Sequence, residues 1–451
     1  MELQNIYHLY RRAAFGISPT EAEKLSLLSR DEVVDKLLAS SGEVTPLTID
    51  LPDYEAFFNR KTAGRRRELQ KIIRKNAPKH LDYNKAWLKR LCEPKEAFNE
   101  RMTLFWINHF VCRDQVIYFA IQYYNLLRTN ALGNFKEFIK QVAKAPSMMK
   151  YLNTNTNSKN HPNENFAREL LELFTLGEGQ YSEKDIKEAA RAFTGYGSRL
   201  DGSFLLLEMQ HDYGTKEFMG WTADLNGDDI VNIICSKREC AQFICRKLYS
   251  YFVNSNLNET HIDAMTEVFF EDYDIKNLMR FMLKADWFYA EENVGTKIKS
   301  PVDLLTSVYR VVPFEFEKPR QQLFVQRLLG QSLMEPPNVA GWPGGRHWIN
   351  TNTLMIRMKV ASIFLGNGIV PSDSLQYKYM EGRSFGDRLS IDANWEVFDK
   401  EYGRLDLEKL KEALCAGRLE KGTSQMLEQG ANYSQRELSI QLMSLPEFQL
   451  T

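Results

Sequence analysis

A chain of 451 residues with 43% hydrophobic content is long enough to bury a large core without disulfide or metal staples. Its 58 basic and 59 acidic residues nearly cancel, so no overall field favours nucleic acid or an anionic membrane as a partner. No apolar run reaches the roughly 18 to 20 residues of a membrane span, and the N-terminus shows no secretory signal. The sequence as it stands predicts a soluble, cytoplasmic protein, and a periplasmic or exported one if a leader was removed.

Apolar residues recur at helical spacing through most of the chain, which predicts a predominantly α-helical, multi-helix, all-α fold. The clearest helical segments are, in chain order, EAEKLSLLSRDEVVDKLLAS, RMTLFWINHFV, NFKEFIKQVAKA, DIKEAARAF, DIVNIICSKRECAQFICRKLYSYFV, IKNLMRFMLKADWFY, PVDLLTSVYRVV and DLEKLKEALC. Serine-based helix start signals stand at Ser18-Pro19, at Ser182 with Asp185, and at Ser300-Pro301.

Two segments break the helical pattern. Residues 194–229 are rich in glycine and turn formers, and FLLLEMQ and TKEFMG on either side of HDYG predict a small β-hairpin or an irregular insertion. Residues 334–353, MEPPNVAGWPGGRHWINTNT, predict a long loop rich in tryptophan, proline and glycine. We expect a main helical domain over residues 1–365, followed over 366–451 by a linker and a C-terminal helical segment packed on it.

The segment HPNENFARELLELFTLG, which begins at His161, predicts a helix with one apolar and one polar face. Glu164, Arg168 and Glu172 are spaced four residues apart, so the simplest interpretation is an exposed ladder of ion pairs. The competing interpretation is the wall of a site. Several asparagines precede and enter the helix, and amides beside carboxylates suit sugar hydroxyls or a cation.

A second group of polar residues lies in HDYGTKEF, within the irregular interval. Asp212 follows His211 and either orients its imidazole or forms a local Asx turn. Lys216 follows closely and adds a positive charge. His109 differs, because its apolar surroundings in RMTLFWINHFV predict a hydrogen-bonded core histidine.

The loop PPNVAGWPGGRHWIN carries two tryptophans, Trp342 and Trp348. Together with the neighbouring amides they predict a platform for a sugar ring or a partner peptide. The alternative is that the loop is a plug packed onto the helical core.

Motifs that usually indicate a metal are incomplete here. The six cysteines form no CxxC pair and predict reduced, mostly buried thiols. TADLNGDDIVN resembles the opening of a calcium loop, but Asp229 replaces the expected glycine and Cys235 the expected acidic ligand. We therefore reject a calcium-binding loop, and the sequence specifies neither a metal nor a cofactor.

One segment, from Lys61 to Arg90, is strongly basic. Acidic stretches elsewhere offset it, and charge runs are usually solvated helix faces. We therefore expect no nucleic-acid partner.

The chain resembles the bacterial family called domain of unknown function 1800. The resemblance covers nearly the whole chain and lies in the blocks HLYRRAAFG, MTLFWINHF, NENFARELLELFTLGEGQYSEKDIKEAARAFTGY, HDYGTKEFMG, FICRKLYSYFV, KSPVDLL, PPNVAGWPGG with WIN, and SLPEFQL. It implies that the family's shared polar positions fall on His8, Arg11, Arg12, His109, Asn163, Glu164, Asn165, Arg168, Glu169, Glu172, His211, Asp212, Lys216 and Trp342. It also implies relatives that are often exported and encoded beside a sulfatase- or alkaline-phosphatase-like family.

The favoured hypothesis is an enzyme with a polar Glu/His/Asn/Arg pocket that acts on a glycan or an anionic ester, with or without a metal. Its candidate catalytic residues are Glu164, Glu169, His211 and Asp212. Its candidate substrate-binding residues are Asn163, Asn165, Arg168, Lys216, Trp342 and Trp348. The alternative is a non-catalytic scaffold that binds the sulfatase-like partner, or a polysaccharide, through the tryptophan loop.

Overall fold

A computed structural model confirms that the chain is predominantly α-helical. The structure describes residues 1–58, 65–366, 389, 391–417, 419, 421–429 and 433–451. The predicted linker, near Gly366 to Asp387, lies outside the described residues beyond Gly366, and so does the start of the basic segment at Lys61. The boundary at residue 365 stays a prediction.

The described α-helices follow one another along the chain with short connections. In the first half they are α1 Leu3–Ala13, α2 Pro19–Ser26, α3 Arg30–Ala39, α4 Pro52–Phe58, α5 Arg65–Asn76, α6 Lys79–Cys92, α7 Ala97–His109, α8 Ile117–Asn130, α9 Phe135–Ala143, α10 Pro146–Tyr151, α11 Asn165–Glu169 and α12 Glu183–Ala192. In the second half they are α13 Gly227–Cys235, α14 Arg238–Phe252, α15 Glu259–Asp272, α16 Ile275–Lys284, α17 Pro301–Val311, α18 Pro319–Leu329, α19 Thr351–Leu365, α20 Trp395–Glu401, α21 Leu407–Leu414, α22 Lys421–Gln429 and α23 Gln435–Met443.

Shorter helical turns complete the pattern. A π-helix spans Leu170–Thr175 and follows α11 without a break. The 3₁₀ turns are Thr154–Thr156, Glu208–Gln210, Asp286–Tyr289, Glu291–Asn293, Gly345–Trp348 and Pro446–Gln449.

The predicted helix start signals are confirmed. The Ser182 side chain accepts from the backbone N–H of Asp185, whose carboxylate accepts in return from the Ser182 backbone, so α12 begins with a capping box. Ser300 and Asp303 do the same at the start of α17, where Pro301 occupies the first turn. These caps satisfy N–H groups that have no partner within the helix.

Three two-stranded antiparallel sheets are described: β1 Tyr196–Ser198 with β2 Phe204–Leu206, β3 Lys216–Phe218 with β4 Trp221–Ala223, and β5 Phe314–Phe316 with β6 Ile391–Ala393. The insertion at 194–229 is thus two hairpins, and the expected pairing of FLLLEMQ with TKEFMG is wrong. Met219 and Gly220 both have positive φ, 49° and 90°. Two such residues make the tight turn that folds β3 back onto the strand immediately after it.

A buried apolar core runs through the described helices, with Trp87 and Trp106 among its largest fully buried side chains. The C-terminal elements join it, because α23 packs on α19 and β6 pairs with β5. All six cysteines are free and buried, as the sequence predicts. Within the described residues, no helix is long and apolar enough to cross a membrane.

Candidate functional site

The asparagine-rich stretch before α11 is tied into the fold through its own amides. Buried Asn157 donates from Nδ2 to Ala190 O at 2.7 Å and accepts from the Asn163 backbone N–H at 2.9 Å. Asn163 in turn accepts from the Asn165 backbone N–H at 3.0 Å. These bonds fix the start of the polar helix. Asn165 itself is exposed.

The polar helix widens into the π-helix at Leu170. The N–H groups of Leu176 and Gly177 both bond to Leu171 O, at 2.9 and 3.1 Å. The carbonyls at the end of the π-helix receive side-chain donors, since Lys247 Nζ donates to Leu173 O at 2.8 Å and His109 Nε2 lies 3.0 Å from Phe174 O. Single-turn π segments are uncommon and occur frequently at functional sites.

His109 is a buried core residue, as the sequence predicts. Besides Phe174 O it contacts Lys247 Nζ, 3.3 Å from its Nδ1. Burial and the Lys247 charge hold the pKa of His109 well below its usual value. Burial also lowers the pKa of Lys247, to about 8. His109 and Lys247 therefore bind carbonyls of the π-helix, and the His109 imidazole is buried.

Arg168 is engaged by two carboxylates. It bonds to Glu164 at 3.2 Å and to both oxygens of Glu183 on α12 at 3.0 Å. The expected ladder from Arg168 to Glu172 is wrong, because Glu172 instead accepts from Tyr181 Oη at 3.0 Å. The wider turn of the π-helix accounts for this, since its residues do not keep the four-residue spacing of an α-helix.

Glu169 differs from every other carboxylate on this face. It is half-buried, and within the described chain its carboxylate has no hydrogen bond or ion pair. Burial and the nearby Glu172 raise its pKa, and Arg168 offsets this only in part. Glu169 also lies near Tyr151, whose phenol pKa it helps to raise. A carboxyl group with a raised pKa beside a second carboxylate is an arrangement used in acid–base chemistry.

His211 is buried, and its Nδ1 lies 2.7 Å from Thr194 O. A carbonyl oxygen only accepts hydrogen bonds, so Nδ1 donates to Thr194 O. Nε2 has no hydrogen-bond partner in the part of the chain that the structure describes. The ring meets Tyr213 edge-on, with the ring centroids 4.7 Å apart.

Asp212 points away from this imidazole. Its carboxylate accepts from Arg191 Nε and from the Gly214 backbone N–H, both at 2.8 Å. Burial alone would raise its pKa, but these two donors outweigh it and the pKa is lowered. Of the two alternatives for Asp212, these hydrogen bonds favour the Asx turn over orientation of the His211 imidazole.

Lys216 is fully buried within the second hairpin. Its Nζ donates to Gly214 O at 3.0 Å and pairs with Asp224 at 2.8 Å. Asn226, in the rejected calcium loop, caps α13. Lys216 thus connects residues of the hairpin segment to one another, and Asn226 stabilises the start of α13.

Trp342 and Trp348 are buried, with 6% and 7% of their surfaces exposed. The Trp342 backbone exchanges two hydrogen bonds with the Asn108 side chain, at 2.7 and 3.2 Å. The burial of both tryptophans favours a loop packed as a plug on the helical core over a platform for a sugar ring or a partner peptide. A binding role for either ring stays a prediction.

Helix α12 separates the candidate residues into two groups. Arg168 binds Glu183 at its start and Asp212 binds Arg191 near its end. Glu183 and Arg191 are eight positions apart, which corresponds to about 12 Å along the helix. Among the described residues, no group of three or more histidine, cysteine, aspartate or glutamate side chains is placed to hold a metal ion.

The sequence interpretation overlooked Tyr181 and Tyr151, and placed Glu172 in the wrong pair. Tyr181 is nine residues beyond Glu172. The three-residue spacing of Glu169 and Glu172 was the sequence signal that these two carboxylates interact, because residues three apart on a helix are neighbours.

A family model described as "Protein of unknown function (DUF1800)" matches residues 8–450, nearly the whole chain. The chain belongs to this family, and the resemblance given by its motifs is confirmed. Comparison with curated proteins and with solved structures yields no match.

Proposed function

We propose that the protein is an enzyme that uses Glu169 for general acid–base chemistry on a glycan or an anionic ester. The proposal is based on the finding that, among the described carboxylates of the polar face, Glu169 alone has no hydrogen-bond or ion-pair partner while its pKa is raised. Glu164 and Arg168 are less suited, because each is already engaged in an ion pair.

The two neighbouring carboxylates take different roles in this mechanism. A protonated Glu169 donates to the oxygen of a leaving group, which suits a group whose pKa is raised towards neutrality. Glu172, held by the Tyr181 hydroxyl, takes a proton from the attacking water, whose oxygen forms the new bond as the bond to the leaving group breaks. Hydrolysis of a glycosidic bond commonly uses such a pair, one acid and one base or nucleophile.

Substrates with a poor leaving group test this proposal on the full-length protein, because such a group must be protonated as it departs. A panel of phenyl glycosides, phenyl phosphate and phenyl sulfate would be offered to wild type, to Glu169→Gln and to the exposed control Glu208→Gln, with the release of phenol followed by absorbance. Removing a general acid typically costs roughly 100-fold or more in rate. We expect that loss for Glu169→Gln alone. Equal turnover by wild type and Glu169→Gln would contradict the proposal.

A second candidate function is the non-catalytic scaffold, binding a polysaccharide or a sulfatase-like partner. Two aromatic rings in the hairpin segment are exposed and suit this function: Trp221 is 58% exposed and Tyr213 is 56% exposed. Aromatic rings of this kind stack on sugars and anchor interfaces. Trp221→Ala should then weaken binding of a polysaccharide by roughly tenfold without changing the fold. Unchanged retention on a polysaccharide column would count against this function.

A further inference from the structure

A basic cleft lies between α1, α17 and the C-terminal elements. It is small and opens to solvent. Three cations line it, Arg11, Lys299 and Arg310. No carboxylate is among its described lining residues, and none of the candidate site residues lines it.

Lys299 is the most enclosed of these cations. Only 2% of its surface is exposed, yet its ammonium group has no hydrogen bond or ion pair within the described residues. Its one close charge contact is with the ring of Phe448, whose centroid lies 3.8 Å from Nζ. A buried ammonium ion is normally paired with an acid.

The two arginines also lack acidic partners. Arg11 donates to the backbone carbonyls of Glu412 and Ala413. Arg310 reaches only Cys92 O, at 3.5 Å. Neutral carbonyls compensate a guanidinium charge only in part, so both arginines can still bind an anion.

Further cations lie behind the cleft. Arg12, Arg101, Lys297 and Arg357 are linked electrostatically to Asp303, which pairs with Arg101. Arg357 Nε and Nη1 are buried without a hydrogen-bond partner. One carboxylate is therefore shared among four inner cations, and although the Asp303 charge also reaches Lys299, it forms no ion pair with that ammonium group.

Isolated positive charge in a low-dielectric interior is costly unless an anion offsets it. The unpaired Lys299 shows this cost directly, because burial and the nearby Arg11 lower its pKa to about 7. A bound anion would supply the charge that the chain itself does not provide. Hydroxyl groups of Tyr7, Ser307 and Tyr402 line the same cleft and offer additional donors.

We propose that the basic cleft binds a doubly charged tetrahedral oxyanion, a phosphate or sulfate group, through Arg11, Lys299 and Arg310. Three cations favour a dianion over a carboxylate or chloride. The group is either free inorganic anion or the end of an ester. This site is independent of Glu169 and of the function proposed for it.

The test is calorimetric titration of the full-length protein with sodium sulfate near pH 6.5, in a background of sodium chloride at constant ionic strength. Wild type should bind one sulfate per chain. Lys299→Met and Arg310→Met should each weaken binding roughly tenfold or more, the usual effect of losing a charged hydrogen bond. Lys359→Met, an exposed lysine on α19, removes the same charge away from the cleft and should bind like wild type.

Circular dichroism shows whether each variant is folded. Arg310 is less buried than Lys299, so Arg310→Met tests the cleft even if Lys299→Met fails to fold. Wild-type affinity in a folded Lys299→Met or Arg310→Met variant would overturn the proposal, and so would no saturable sulfate binding by wild type. Inorganic phosphate and phenyl phosphate then identify the source. Binding of phenyl phosphate at least as tight as phosphate assigns the end of an ester, and binding of phosphate alone assigns the free anion.

Discussion

At the scale of the residue, charge pairing separates structural polar groups from reactive ones. Arg168, Asp212 and Lys216 all stand out in the sequence, and all three are paired within 3.2 Å. Glu169 and Lys299 have no such partner, and the pKa of each is displaced in the direction that favours its neutral form. An unpaired charge held by the fold indicates a function more strongly than a conspicuous motif does.

The affinity of the basic cleft for sulfate should fall as the pH rises through about 7. Lys299 in the unliganded protein is charged below that pH and neutral above it, so sulfate binding above it requires uptake of a proton. The facing groups do not reverse this, because Arg11 and Arg357 stay charged, Asp303 stays ionised and burial keeps the Cys415 thiol neutral.

Sulfate titrations between about pH 6 and 9 check this prediction, since one linked proton changes the affinity by at most roughly tenfold per pH unit. A flat profile in wild type would contradict it. Lys299→Met supplies the control, because its weaker binding should not vary with pH over this range.

At the scale of the element, the π-helix is stabilised by residues distant in the sequence. Lys247 comes 74 residues after Leu173, whose carbonyl it binds. His109 precedes its acceptor, Phe174, by 65 residues. The wide turn leaves carbonyls without ordinary helical partners, and these two side chains satisfy them.

Lys247→Met should therefore destabilise the protein by about 1–3 kcal/mol, the usual cost of leaving a buried acceptor unsatisfied. Urea unfolding followed by circular dichroism measures the change. The exposed control Lys36→Met on α3 should stay within about 0.5 kcal/mol of wild type. Equal free energies of unfolding for the two variants would show that the Leu173 carbonyl does not need Lys247.

The helices and their starts are predictable because their signals are local. Ser182 and Asp185 are three residues apart, and apolar spacing shows which face is buried. The π-helix is not predictable in this way, since its donors come from α7 and α14. The burial of Trp342 and of Lys299 also depends on distant partners, Asn108 and Phe448 respectively. The sequence singled out the polar face of the helix but not the partners of its carboxylates, and it gave no local signal for the basic cleft.

At the scale of the whole molecule, the C-terminal elements complete the fold around the N-terminal helix. Lys299 N–H donates to Gln449 O at 2.8 Å, and Thr451 N–H donates to Lys297 O at 2.8 Å. Arg11 on α1 reaches the carbonyl of Ala413 at 2.9 Å. Elements from both ends of the described chain therefore form the same cleft.

Because these contacts cross the predicted boundary at residue 365, the protein should unfold in one cooperative transition. Differential scanning calorimetry should show a single endotherm, and saturating sulfate should move all of it to higher temperature. Two resolved endotherms, only one of them sensitive to sulfate, would indicate that the C-terminal segment unfolds separately.

The pKa of Glu169 is the quantity on which the proposed acid–base function most directly depends. Carbon-13 NMR on protein labelled at the glutamate carboxyl carbons would measure it, with Glu169→Gln identifying the resonance. We expect a midpoint above the ordinary glutamate value of about 4.3, because burial and Glu172 both disfavour the anion. A midpoint at or below that value would mean that Glu169 is an ordinary solvated carboxylate, and the proposed acid would be lost.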